Sequence, residues 1–244
     1  MLIKYAVLQI LYQSRLLLQK LMLVNQKIKF YAVPVSTYCA RVRIILRLKS
    51  VDFVELLPPG GNYNTPEYRR LIPAGSVPAI EIGGFCLHDS DAISEFLEEQ
   101  YSEPAMWPED IQKRAVLRSI GRFHDTRLEP ALRALFPMVG QNPEAPEKVI
   151  SAINHIVECL KRLDSLVEAT PYLGGDRLSL ADCAYPTTLF MLEELVNALD
   201  KKITLPSKIS NWRKALYENL IVRRVVDDNR DAISAWVQKK LRSN

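Results

Sequence analysis

The sequence is short of the residues that build metal centres and disulfide frameworks. It holds three histidines, His88, His124 and His155, and four cysteines, Cys39, Cys86, Cys159 and Cys183, that lie far apart. No cysteine pair stands at zinc-ligand spacing, and neither HExxH nor CxxC occurs, so no metal site is expected. The same distribution suits a reduced, cytosol-like compartment rather than an oxidising one. Charge of one sign is also scarce. Lys plus Arg number 32 against 28 Asp plus Glu, a formal balance of +4, which gives no reason to expect nucleic acid as a partner. A membrane-spanning run is missing as well. Residues 1–26 are apolar and carry Lys4, Arg15 and Lys20 without any acid. Polar residues break them too often for a span, which needs roughly 20 mostly apolar positions. They also lack the small-residue cleavage site of a secretory signal. Two readings of this extension stay open: an organellar transit peptide, or a stretch upstream of a natural start at Met22. The expected location is the cytoplasm, or an organelle under the first reading.

What is present is ordinary for a soluble globular protein: 48% apolar and 25% charged residues over 244 positions, enough for one large domain or two small ones. Regular patterning begins at Lys27. Residues 27–33 alternate and are rich in strand formers. Residues 39–49 place Val42, Ile45, Leu46 and Lys49 at helical spacing, and 51–57 read as a second strand closed by Pro58-Pro59-Gly60-Gly61. Strand, helix, strand over this length is a βαβ unit. A short helical stretch over 65–71 follows. Then 77–82 and 85–88 read as strands joined by the glycine turn Gly83-Gly84, and 90–101 as an amphipathic helix. This order is the thioredoxin arrangement, a small mixed sheet between helices. Residues 102–109, with two prolines, read as a linker. Beyond them only helical patterns occur, at roughly 110–136, 146–168, 180–199, 207–218 and 223–240. The expectation is an α/β thioredoxin-like domain over 27–101 and an all-α domain over 110–244.

The residues with chemical potential open the first helix, where Ser36-Thr37-Tyr38-Cys39 occupies the place at which thioredoxin-like proteins carry Cys-x-x-Cys. Without the first thiol, dithiol–disulfide exchange in its usual form is excluded. A helix N-terminus can still hold a thiolate, because its N–H groups and dipole favour negative charge and a hydroxyl can donate to sulfur. Ser36 is equally a good N-cap. Cys39, one turn in, fits a small packing residue.

At these residues the chain resembles the glutathione transferases. In their serine-type classes a serine at the position of Ser36 stabilises the glutathione thiolate. Arg41-Val42-Arg43-Ile44 is similar to the R-V-R-I run of the zeta class, the maleylacetoacetate isomerases, although Tyr38 stands where that class has cysteine. Ile72-Pro73-Ala74-Gly75-Ser76-Val77-Pro78-Ala79-Ile80 resembles the family's N-P-x-G-x-V-P-x-L. The resemblance implies a cis peptide before Pro78 and pairing of the Val77 backbone with the cysteinyl part of glutathione. Asp89-Ser90-Asp91-Ala92-Ile93 resembles E-S-x-A-I, with Ser90 as helix N-cap and holder of the γ-glutamyl carboxylate, and Asp89 facing the α-ammonium. Pro171 to Asp182 is similar to the family's p-f-l-x-G-x-x-[ST]-x-A-D, in which Ser179 and Asp182 form a capping box.

The resemblance spans residues 27 to 235 and implies a two-fold homodimer. It also implies glutathione as co-substrate without a metal, and an electrophilic small molecule as the second substrate. Tyr38, Cys39, Arg41 and His124 are candidates for the electrophile pocket. His124 also fits a solvated or helix-pairing residue, and Arg122 and Arg127 fit either attraction of an acidic substrate or ion pairing on an exposed face. Three functions follow as alternatives: a conjugating transferase, a maleylacetoacetate-type cis–trans isomerase, or a non-enzymatic interaction protein that keeps the fold.

Overall fold

The computed structural model describes Tyr5 and residues 26–140 and 146–242. The expectations for the N-terminal extension therefore lie outside the described residues, Tyr5 and Gln26 apart. Strand β1 (Ile28–Tyr31) occupies the centre of a four-stranded sheet of order β2-β1-β3-β4. It runs parallel to β2 (Phe53–Leu56) and antiparallel to β3 (Ala79–Ile82), which pairs in turn with β4 (Phe85–His88). Because side chains alternate along a strand, Ile28 and Phe30 enter the main core while Tyr31 joins a smaller cluster with Tyr68, Ile72 and Ala79. Helix α1 (Thr37–Leu48) covers the first face together with α3 (Ser90–Gln100), and α2 (Pro66–Leu71) covers the second. The β3–β4 turn is made by Gly83 and Gly84, both at positive φ, +57° and +83°. A two-residue hairpin of this hand requires that conformation at both positions.

The strands are shorter than the alternation suggests. β1 stops at Tyr31 because the chain turns immediately afterwards, closed by the Ser36 N–H donating to the Val33 carbonyl at 3.2 Å. The helical half departs from expectation in three places. Instead of one helix over 110–136, α4 (Ile111–Phe123) passes through a wide π turn at His124–Leu128 into the short α5 (Glu129–Arg133). Pro130 explains the break, since it supplies no N–H to an α ladder. After α6 (Pro146–Leu166), the expected helix over 180–199 is a 3₁₀ turn at Asp182–Ala184 followed by α7 (Tyr185–Ala198), with Pro186 tolerated in its first turn. Helix α8 (Ser207–Glu218) has the expected bounds. Helix α9 (Leu220–Arg242) starts earlier than expected, because Asn219 Oδ1 accepts from the Ile221 and Val222 N–H groups at 3.0 and 3.1 Å.

Helix α7 is buried on nearly every side from Tyr185 to Leu192, which makes it the core of the helical half. Its entry is held by Asp182, fully buried. That carboxylate accepts from the Ser179 N–H and hydroxyl, both at 2.7 Å, from the Leu173 N–H at 3.0 Å and from Trp212 Nε1 at 2.8 Å. The capping box read from Ser179 and Asp182 is present and also ties α8 to the loop before α7.

Candidate functional site

The sheet register brings three separated sequence motifs to one place. Tyr31 pairs with Ala79, and Ala79 with His88. The chain therefore leaves β1, enters β3 and leaves β4 at the same end of the sheet. Ser36, Val77-Pro78 and Asp89-Ser90 lie just beyond that end. A cavity of about 430 Å³ opens there between the two halves, with Ser36, Tyr38, Ser76 and Val77 on one wall and Arg133, Phe136, Met191 and Trp236 on the other.

Ser36 is half-buried and caps α1 from an extended conformation, its Oγ accepting from the Cys39 N–H at 3.2 Å. A hydroxyl can accept and donate at once. Capping therefore uses a lone pair and leaves the proton for an acceptor in the cavity, so the structural and the chemical readings of Ser36 coexist. Cys39 is not a pocket residue. It is wholly buried, and burial pushes its thiol up to about 11 against the lowering effect of the Ser36 contact.

The Val77–Pro78 peptide is cis. The segment before it is fixed from below by Tyr68, a buried side chain whose hydroxyl donates to the Ser76 carbonyl at 2.8 Å and which burial keeps protonated. Gly75 has φ +56°, and a Cβ there would come within 2.9 Å of Arg69 Nε and 3.2 Å of the Tyr63 carbonyl.

At the third motif the cap is Asp89, not Ser90. Asp89 has φ +76°, and its Oδ1 accepts from the Asp91 and Ala92 N–H groups at 2.9 and 3.2 Å. Ser90 consequently falls inside the first turn of α3, buried, its Oγ accepting from Arg41 Nη1 at 3.3 Å. Neither residue lines the cavity, and nor does Pro78.

Arg41 and His124 also prove to be interior residues. Arg41 is 2% exposed. Its Nη2 and Nη1 reach the two oxygens of Asp125 at 2.5 and 3.2 Å, with Asp91 at 3.6 Å. Burial alone would raise the Asp125 carboxyl, but the hydrogen bond from His124 and the guanidinium of Arg41 outweigh it and hold it down at about 2. His124 is fully buried, neither solvated nor on the cavity, with Nδ1 at 2.8 Å from Asp125 and Nε2 at 2.8 Å from the Thr188 hydroxyl. Arg122 pairs with Asp91 and Asp125 at 3.6 and 3.5 Å. These side chains form a polar clasp between α1, α3 and the π turn rather than a substrate pocket.

Of the four pocket candidates, Tyr38 alone reaches the cavity. Its ring lies under the guanidinium of Arg133 at 4.9 Å, and burial, then the nearby Glu129 carboxylate, push its hydroxyl up to about 12. Sequence reasoning missed Arg133, Phe136 and Trp236. Arg133 stands four residues after Glu129 and pairs with it at 3.0 Å, while the Thr37 hydroxyl donates to the same Glu129 oxygen at 2.7 Å. The signal available was an acid–base pair at helical spacing beside a proline, which by itself fits many exposed helices. Phe136 and Trp236 meet edge to face, ring centroids 4.9 Å apart, from sequence positions a hundred residues apart.

Comparison with known proteins bears directly on this arrangement. Residues 30–105 match the family description "Glutathione S-transferase, N-terminal domain", and residues 123–219 match "Glutathione S-transferase, C-terminal domain". The chain is 32% identical over 182 residues to glutathione S-transferase 1 of Dianthus caryophyllus, a match covering 72% of this chain and 79% of that one. It is 34% identical over 179 residues to maleylacetoacetate isomerase of Pseudomonas aeruginosa, covering 70% and 84% respectively. In fold it is similar to the tau class glutathione S-transferase of mango, with a TM-score of 0.75 at 19% identity over 88% of this chain and 98% of that one. It is similar also to the theta class enzyme of Xanthomonas axonopodis pv. citri solved with glutathione bound, with a TM-score of 0.67 at 24% identity over 82% and 97%. With both halves matched in order on one sheet-and-bundle scaffold, the chain belongs to the glutathione S-transferase family.

Proposed function

We propose that this protein is a glutathione transferase that binds glutathione in the cavity between its halves, ionises the thiol and delivers the thiolate to an electrophilic small molecule. Ser36 carries the reading: its hydroxyl faces the cavity from the N-terminus of α1 and keeps a proton to donate. A hydrogen bond to a charged acceptor contributes about 1.5–3 kcal/mol, and a helix N-terminus adds several tenths. Together they lower a thiol by about one and a half to two and a half pKa units from its ordinary value near 8.5. The thiolate then attacks an electrophilic carbon, forming a C–S bond as the leaving group departs with the bonding pair. Holding the two reactants together lowers the barrier by removing a bimolecular encounter.

Val77, ahead of the cis bond to Pro78, would present its backbone to the cysteinyl unit. The N-terminus of α3, with Asp89 and Ser90, would hold the γ-glutamyl end. Tyr38, Arg133, Phe136, Met191 and Trp236 form the wall for the electrophile. The scheme needs no metal ion. Exposed apolar side chains on β4 and α4, Phe85 and Val116 among them, support a homodimer, which light scattering would test. The cysteine distribution supports a cytoplasmic location.

The test is calorimetric titration with glutathione of the natural protein and a Ser36→Ala variant, and assay of both with a chloro-nitrobenzene. Saturable binding with turnover reduced about tenfold or more in Ser36→Ala is expected. Equal turnover by the two proteins would sink the assignment of Ser36. A second reading, glutathione-dependent cis–trans isomerisation, is favoured by relatives named maleylacetoacetate isomerase and by Arg41-Val42-Arg43-Ile44. Isomerisation of a maleyl compound without conjugation of haloarenes would select it.

A further inference from the structure

Helix α9 packs an apolar stripe of Val222, Val225, Val226, Ile233 and Val237 into the core, and that stripe is interrupted by one buried polar residue, Asn229, 1% exposed. Its Oδ1 accepts from Arg43 Nη1 at 2.9 Å, and its Nδ2 donates to the Pro34 carbonyl at 2.5 Å. The two partners fix the amide orientation without ambiguity, since a guanidinium only donates and a carbonyl only accepts. Arg43 is itself held by both oxygens of Glu55 and lies over the Phe30 ring at 5.8 Å. One side of Asn229 is thus anchored to the sheet. The other grips the turn two residues before Ser36.

We infer that Asn229 is a positioning residue, through which the last helix of the helical half sets the Ser36 loop for thiolate binding. The inference rests on the glutathione reading given above. Trp236 is seven residues further along α9, two turns on, and lines the cavity opposite Ser36. The same helix therefore places both the wall behind the electrophile and the loop that carries the hydroxyl, and Asn229 keeps the two in register. A buried amide costs stability unless both its ends are paired. Here both are, and an apolar residue at 229 would leave the Pro34 carbonyl without its buried donor.

The test is the ultraviolet absorbance of the glutathione thiolate on the full chain as a function of pH. The proteins compared are the natural one, Asn229→Asp, Asn229→Ala and, as control, Asp228→Ala. Asn229→Asp keeps an acceptor for Arg43 but sets an oxygen against the Pro34 carbonyl, so it removes the grip on the loop while retaining the anchor. Asp228→Ala breaks the neighbouring α1–α9 tie, Arg47 to Asp228 at 2.9 Å, without touching Pro34. Either Asn229 variant that folds, as judged by far-ultraviolet circular dichroism, is expected to raise the thiol pKa of bound glutathione by about one unit. The thiolate fraction below that pKa then falls about tenfold, and Asp228→Ala leaves it in place. In a Ser36→Ala background, Asn229→Asp is expected to add no further shift, because a positioning residue acts only through the group it positions. An unchanged thiol pKa in the Asn229 variants, an equal shift in Asp228→Ala, or a full further shift in the Ser36→Ala background overturns the inference. Absence of any bound thiolate in the natural protein overturns the glutathione reading itself and the inference with it.

Discussion

The clasp around Arg41 makes a quantitative prediction for Asp125→Asn. Arg41 and Asp125 are 2% and 12% exposed. Removing one member of such a pair strands the other, at a cost of about 3–5 kcal/mol. Part of that cost depends on pH in a known direction. Asp125 titrates at about 2 in the folded protein against an ordinary 3.8. The unfolded chain therefore takes up its proton first. The associated stability, about 2 kcal/mol, is fully present above about pH 5 and is lost as pH falls through 3.8 towards 2. Linkage gives a loss of about 1 kcal/mol by pH 3 and about 2 kcal/mol by pH 2. Asp91 complicates a direct comparison, because burial raises its carboxyl and it would inherit Arg41 in the variant. Both proteins should therefore carry Asp91→Asn. Urea unfolding followed by tryptophan fluorescence at pH 7, 5, 4 and 3 then yields the stability gap directly. The expected gap is about 3–5 kcal/mol at neutral pH, narrowing by about 1 kcal/mol at pH 3. A gap under about 1 kcal/mol at pH 7, or one unchanged between pH 7 and pH 3, would refute the proposed clasp.

Gly75→Ala forces a side chain into positive φ against Arg69 and the Tyr63 carbonyl. A loss of about 1 kcal/mol or more, with weaker glutathione binding from the displaced Ser76–Val77 segment, should appear in thermal unfolding and calorimetry; an unaltered midpoint would contradict it. Asp182→Ala leaves the Leu173 N–H, the Ser179 N–H and Trp212 Nε1 buried without an acceptor. At about 1–3 kcal/mol per orphaned donor, failure to accumulate folded protein at 37 °C is the expected result, measured by soluble yield and circular dichroism. Maleimide at pH 7.5 should label Cys86, which is partly exposed, well before the buried Cys39, Cys159 and Cys183. Mass spectrometry of timed samples checks the order, and early labelling of Cys39 would contradict its burial.

The sheet and its helices were legible in the sequence because their signals are local. Alternation marked β1, the paired glycines marked the hairpin of β3 and β4, and helical periodicity marked α1 and α8. The helix over 110–136 was misjudged for a local reason too: periodicity continues through residues 124–128, and it is the missing N–H of Pro130 that opens the turn. Ser36 and Val77 could be picked out because their motifs are contiguous. Arg133, Phe136 and Trp236 could not, since the cavity wall they form exists only once α5 and the end of α9 are folded against the sheet. Arg41 and His124 were misplaced for the complementary reason. A charged or imidazole side chain reads as accessible until its partners are known, and those partners, Asp125 and Thr188, come from elements read as separate helices.

Three polar tethers hold α1 to the helical half. Near its start the helix is gripped by the helical half through Thr37 to Glu129, and further along through Arg41 to Asp125 and Arg43 to Asn229. Every one of these contacts uses a buried polar side chain whose partner lies across the division between sheet and bundle. Such pairs add little net stability over apolar packing, but a placement that separates them leaves a buried polar group unpaired at a cost of about 1–3 kcal/mol. Ser36 lies at the end of α1 that these contacts immobilise. In the proposed function that hydroxyl would donate to sulfur, and a donor held to within a few tenths of an ångström needs its scaffold fixed in that way. Without these contacts the cavity wall of Arg133, Phe136, Met191 and Trp236 would be free to drift relative to Ser36.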